Sequence, residues 1–116
     1  MSQTVRMLTD SFAVAPQLTA EDMPAVAAAG FKSVIINRPD YEAGPDQPAA
    51  AQVMAVAQIE GMEVSYLPVV SGAITQEDVV AFAELLKTMP KPILAYCRSG
   101  GRCTQLFQAA SALDEL

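Results

Sequence analysis

Residues 92–96, Pro-Ile-Leu-Ala-Tyr, form a short apolar run that ends on Cys97. Arg98-Ser99-Gly100-Gly101-Arg102-Cys103 follows at once, and then Thr104-Gln105-Leu106-Phe107-Gln108-Ala109-Ala110. The apolar run reads as a buried strand, the last segment as a helix, and the glycine pair as the tight loop joining them. A strand delivered through so short a polar loop into a helix turns backbone N–H groups toward one point at the helix N-terminus, where an anion is favoured. A thiol at that point is pushed toward thiolate by the amide dipoles and by nearby guanidinium groups. Gly100 and Gly101 are expected to supply positive φ and an absence of Cβ atoms, so that the loop can curl around a ligand. The planar fork of Arg102 suits a tetrahedral oxyanion, and Arg98 adds a second positive charge.

The rest of the chain fits around this unit. Strands are expected at 5–8, 12–15, 33–37 and 63–67. Thr19 reads as an N-cap with Glu21 and Asp22 in the first turn, of a helix that Pro24 delays to about Met23 and Gly30 ends. Asp46, with Pro48 behind it, reads as the N-cap of an alanine-rich helix running to about Glu60 and stopped by Gly61. Thr75-Gln76-Glu77-Asp78 has the form of a capping box opening a helix through Met89, before Pro90-Lys91-Pro92 breaks it. Val34-Ile35-Ile36 is apolar without alternation, as in a strand buried on both faces. Strands alternating with helices imply an α/β fold: a central, mainly parallel sheet of four to five strands with helices on both faces, in three layers. Ligands of such sheets bind at the carboxyl ends of the strands, where Cys97 stands.

Bulk properties narrow the function. With 116 residues, 52% hydrophobic and 17% charged, the chain is expected to form one globular domain over 1–116. A net charge of −6 argues against a nucleic-acid surface. The absence of histidine removes the commonest base and metal ligand, so neither a metal nor an organic cofactor is implied. No run approaches the roughly 18 to 20 apolar residues needed to cross a bilayer. No apolar signal core opens the chain, and the two cysteines are too few for a secreted disulfide framework. The expectation is a soluble cytoplasmic protein, with no membrane or nucleic-acid partner and an oligomeric state left open.

Cys97-x-x-Gly100-x-Arg102 resembles the active-site loop of the cysteine-dependent phosphatase superfamily, the tyrosine and dual-specificity phosphatases. Phe12-Ala13-Val14-Ala15-Pro16-Gln17-Leu18, Gly30-Phe31-Lys32-Ser33-Val34-Ile35-Ile36-Asn37 and Asn37-Arg38-Pro39-Asp40 resemble one branch of it, the bacterial phosphatase-like domain of the beta-lactamase-hydrolase-like proteins. The resemblance implies a phosphatase-like fold and a phosphate ester as substrate. It makes Cys97 the nucleophile and Arg102 the oxyanion binder, with Arg98, Ser99, Gly100, Gly101 and Cys103 completing the phosphate-binding loop. It also calls for an aspartic acid on a neighbouring loop to protonate the leaving oxygen. Pro68-Val69-Val70-Ser71-Gly72-Ala73, where that residue is expected, contains no acid. Asp40 and Asp78 are the candidates, against their bland readings as a turn former and a capping residue.

Two positions depart from the superfamily pattern. Four residues separate Cys97 from Arg102, where most such phosphatases have five, and the shorter loop resembles that of rhodanese sulfurtransferases. Cys103 stands where a serine or threonine hydroxyl usually steadies the thiolate. A persulfide carried on Cys97 would need no general acid, so a sulfur-containing substrate stays open beside a phosphate ester. A non-catalytic anion-binding module is a third reading. Cys103 also suggests a resolving thiol for Cys97.

Overall fold

The computed structural model describes residues 5–114. Five strands, β1 (Arg6–Thr9), β2 (Phe12–Ala15), β3 (Ser33–Ile36), β4 (Glu63–Tyr66) and β5 (Ile93–Tyr96), form one sheet in the order β1-β2-β5-β3-β4. β1 runs antiparallel to β2, because only Asp10 and Ser11 join them; every other pairing is parallel and needs a crossover. Four α-helices supply the crossovers and the cover: α1 (Met23–Ala28), α2 (Ala50–Ile59), α3 (Gln76–Thr88) and α4 (Gly101–Asp114).

Side-chain alternation along the strands divides the interior into two cores. Phe12, Val14, Ile35, Ile93 and Ala95 face α3 and α4, meeting Val79, Phe82 and Leu106. Ala13, Val34, Ile36, Leu94 and Tyr96 face α1 and α2, meeting Met23, Val26 and Val53. This two-sided burial is why the central strands lack a polar phase in the sequence. Phe12 stacks on Phe107 with ring centroids 4.4 Å apart and meets Phe82 edge-on at 5.9 Å. Each such aromatic pair is worth about 0.5–1.5 kcal/mol beyond its buried area.

The register matters for function. Ala15 and Ile36 both pair with Tyr96, and Ile36 also pairs with Tyr66, so four strands end level and form a rim at their carboxyl ends. Cys97 leaves that rim from the central strand.

Several expected boundaries move. Thr19 caps a short 3-10 turn (Ala20–Asp22) that leads into α1, with the Asp22 carboxylate accepting the Thr19 N–H at 2.9 Å. Gly30 closes the α1 end at φ +100°. Asp46 does not cap α2. The helix begins at Ala50, leaving Pro48 outside, and its first N–H donates to Asp40 Oδ1 at 2.8 Å. A carboxylate ten residues upstream therefore fills the capping role that local spacing assigned to Asp46. The capping box of α3 stands as read: Asp78 N–H donates to Thr75 Oγ1 at 3.0 Å, and Thr75 N–H to Asp78 Oδ2 at 2.9 Å.

Candidate active site

The segment after β5 is pinned from both neighbouring strands. Cys97 N–H donates to Ala15 O at 3.4 Å and Gln17 N–H to Arg98 O at 3.2 Å, while Asn37 N–H donates to Tyr96 O at 3.0 Å. Gly100 takes φ +90°, and its N–H turns inward to the Cys97 sulfur at 3.1 Å. Only Gly100 of the glycine pair has positive φ. Gly101 opens α4 instead, and its N–H is capped by Ser99 Oγ at 3.3 Å. The start of the helix is further tied by Thr104, which donates through its hydroxyl to Gly100 O at 2.9 Å and accepts from Arg6 Nη2 at 3.1 Å.

Cys97 is buried, yet its thiol is held down at about 5. The Cys103 thiol beside it is the largest cause; burial opposes the shift, and the N–H groups of Cys103, Ser99 and Gly100 add to it. Cys97 is therefore a thiolate at neutral pH. Cys103 behaves oppositely. Burial, then the hydrogen bond with Cys97 and its charge, pushes its thiol well up. Cys103 was expected among the anion-binding residues, but it lies fully buried beneath the loop, with Sγ 3.3 Å from Asn37 Oδ1. Its single proton thus has two acceptors, the Asn37 amide and the Cys97 sulfur. The thiolate is the stronger of the two, because charge-assisted hydrogen bonds are about twice as strong as neutral ones.

Arg102 is nearly buried, and its partner was invisible in the sequence. Nη1 and Nη2 clasp the two carboxylate oxygens of Glu42 at 2.9 and 3.0 Å, and Nη1 also donates to Val69 O at 2.8 Å. Three of its five N–H donors are thereby engaged. The side edge, Nε–H with one Nη2–H, has no partner among the described residues. Those two parallel donors match the spacing of two oxygens on a tetrahedral anion. Glu42 is shared with Arg38, whose Nε donates to Oε1 at 3.0 Å and whose Nη1 reaches Gln17 Oε1 at 3.0 Å. Arg102, with help from Arg38, lowers the Glu42 carboxyl despite partial burial, so it stays ionised.

The two candidate acids sit elsewhere. Asp40 is committed to the α2 N-terminus, with its own N–H bonded to the Tyr66 hydroxyl at 2.9 Å. Asp78 is committed to the capping box of α3. Neither lines the two depressions that open over the loop. One depression, about 540 Å³, is bounded by Ser71, Arg98, Ser99, Arg102 and Gln105. The other, about 430 Å³, is bounded by Arg38, Glu42, Val70, Arg98 and Arg102. The carboxylate that does reach the site, Glu42, is locked ionised and has no proton to give.

Asn37 and Glu42 are the residues that sequence reasoning passed over as site groups. Asn37 is fully buried, and its Nδ2 donates to Leu67 O at 2.9 Å while its carbonyl accepts Val69 N–H at 3.0 Å. A polar residue ending an apolar strand was the available signal. For Glu42 the signal was weaker, an arginine four positions before an acid in a loop.

A level sheet edge, a cysteine following the central strand and an arginine at the start of the next helix are the arrangement of the cysteine-dependent phosphatase superfamily. Residues 4–114 match the phosphatase-like domain of the beta-lactamase hydrolase-like proteins, and the chain belongs to that family. A beta-lactamase hydrolase-like protein of Agrobacterium fabrum is 35% identical over 107 residues, covering 92% of this chain and 25% of the relative. The chain thus spans about a quarter of the length of the curated relatives it matches. A crystal structure of a candidate phosphatase from Neisseria meningitidis Z2491 superposes with a TM-score of 0.77 at 35% identity, covering 88% of this chain and 72% of that one. The core catalytic domain of the PP-IP phosphatase SIW14 from S. cerevisiae shares the fold, with a TM-score of 0.75 at 14% identity over 97% of this chain and 67% of that one.

Proposed function

We propose that Cys97 is the covalent nucleophile of a phosphatase-type reaction on an oxyanionic substrate. The observation that carries this is a thiolate held at about 5 by converging donors, beside the unengaged Nε/Nη2 edge of Arg102. The Cys97 sulfur attacks phosphorus, the S–P bond forms, and the ester P–O bond breaks. The loop amides and the Arg102 edge stabilise charge on the non-bridging oxygens, while Glu42 keeps the guanidinium oriented. Water then attacks the phosphocysteine, releasing phosphate and restoring the thiolate. With Asp40 and Asp78 bound to helix N-termini and Glu42 held ionised, the leaving oxygen takes its proton from water. Esters with acidic leaving groups are therefore the substrates of choice.

The same absence of a placed acid favours a second reading, sulfur transfer. Here Cys97 attacks the outer sulfur of a donor such as thiosulfate, an S–S bond forms, and sulfite leaves with the bonding pair. A nucleophilic acceptor then takes the outer sulfur from the persulfide and frees the thiolate. No proton donor is needed at either step, and the four-residue spacing from Cys97 to Arg102 suits a small transferred group.

A paired assay separates the readings: hydrolysis of an aryl phosphate and thiosulfate-to-cyanide sulfur transfer, each with wild type and Cys97→Ser. Phosphate release that falls at least ~10³-fold on substitution carries the phosphatase reading. Thiocyanate formation lost on substitution, with no phosphate release, replaces it by the second. Activity untouched by Cys97→Ser overturns both.

A further inference from the structure

The chain carries net charge −6 and four arginines, yet three of those arginines, Arg38, Arg98 and Arg102, stand at the mouth of the site. One carboxylate, Glu42, faces them. Two of the three are tied to it; Arg98 is not. Its side chain is exposed and has no hydrogen-bond or ion-pair partner among the described residues. Its backbone is nevertheless fixed, because Arg98 O accepts the Gln17 N–H at 3.2 Å. The guanidinium is therefore anchored at its root and free at its tip, on the ridge between the two depressions, both of which it lines.

We infer that Arg98 forms a second anion subsite, so that the preferred substrate carries another anionic group beside the one that reacts. This rests on reading the 97–102 loop as an oxyanion cradle. The reacting group occupies the depression over Ser99 and the Arg102 side edge. The second group lies across the ridge, toward Arg38 and Val70, where the arginines outnumber the carboxylate. An unpaired, well-hydrated arginine costs little to keep in water, and on meeting an anionic group it offers two parallel donors. Phosphate and carboxylate both satisfy that chemistry.

Isothermal titration of the chain with methylphosphonate, methylenediphosphonate and 3-phosphonopropionate tests the subsite without turnover. The second group should tighten binding about tenfold over methylphosphonate, the expected gain from one charge-assisted pair. The diphosphonate showing the gain assigns a phosphate as the second group, and the phosphonopropionate showing it assigns a carboxylate. Arg98→Gln should abolish the gain, leaving the diphosphonate and the phosphonopropionate no tighter than methylphosphonate. Lys32→Gln, an equal charge change at an exposed residue ahead of β3, should leave the gain intact. No gain in wild type, a gain that survives Arg98→Gln, or equal loss in Lys32→Gln overturns the subsite. Failure of methylphosphonate to bind at all overturns the oxyanion cradle itself.

Discussion

Cys97 and Cys103 are both buried and have five residues between them, yet their surroundings drive them to opposite protonation states. At the mouth of the loop, N–H groups and a thiol proton converge on Cys97, and they outweigh the burial that opposes ionisation. On the floor, burial dominates around Cys103, and the negative sulfur above it makes a second charge still more costly. Burial alone therefore predicts nothing about a cysteine's reactivity; the count of donors aimed at the sulfur decides it. The pair works as one unit, in which the floor thiol keeps its proton and lends it to the mouth.

The strongest way to break this comparison is to remove the lent proton. Cys103→Ala should raise the Cys97 thiol from about 5, so that at pH 6 its alkylation by iodoacetamide and its turnover fall by roughly twofold to fifteenfold. The acidic limb of the pH–rate profile should move upward, because a higher pH is then needed to form the thiolate. Cys103→Ser, which keeps a donor, should recover most of the loss. A profile unmoved by Cys103→Ala would mean that the amides alone hold the thiolate.

A smaller effect is expected one step out, at Glu42→Gln. The amide keeps one acceptor for Arg102 but loses the charge and the two-point clasp. Substrate affinity should drop about tenfold with the Cys97 profile unshifted, and denaturant titration should show a loss of about 1–2 kcal/mol. A shifted profile would place Glu42 in the ionisation of Cys97 and blur the division between the two regions.

The smallest effect sharpens the comparison from outside. Asp40→Asn should leave kcat/KM within about threefold, because asparagine caps a helix nearly as well as aspartate. Asp40→Ala should lose about 1 kcal/mol of stability, as a missing cap does. A hundredfold loss of activity in Asp40→Asn would restore Asp40 as the general acid.

Much of this arrangement could be read in the chain itself. The run at 33–37 announced a strand buried on both faces, those at 12–15 and 92–96 announced strands, and the Cys97 loop announced its own strand–loop–helix geometry. Local rules worked where the determining contact was local, as at Thr75 and Asp78. They failed where a distant group took the part, as when Asp40 capped α2 in place of Asp46. Glu42 was illegible for the same reason: its importance exists only once the turn after β3 packs against Arg102, sixty residues on. Gly101 misled in another way, since two adjacent glycines suggested two positive φ values and the helix needed only one.

Cys97 leaves from the strand flanked on both sides by parallel partners, while β1 and β4 form the edges. Local opening in a sheet begins at such edges and reaches the centre last. The amides of β5 therefore belong to the slowest-exchanging class of the molecule, and β1 and β4 can breathe without disturbing the sulfur.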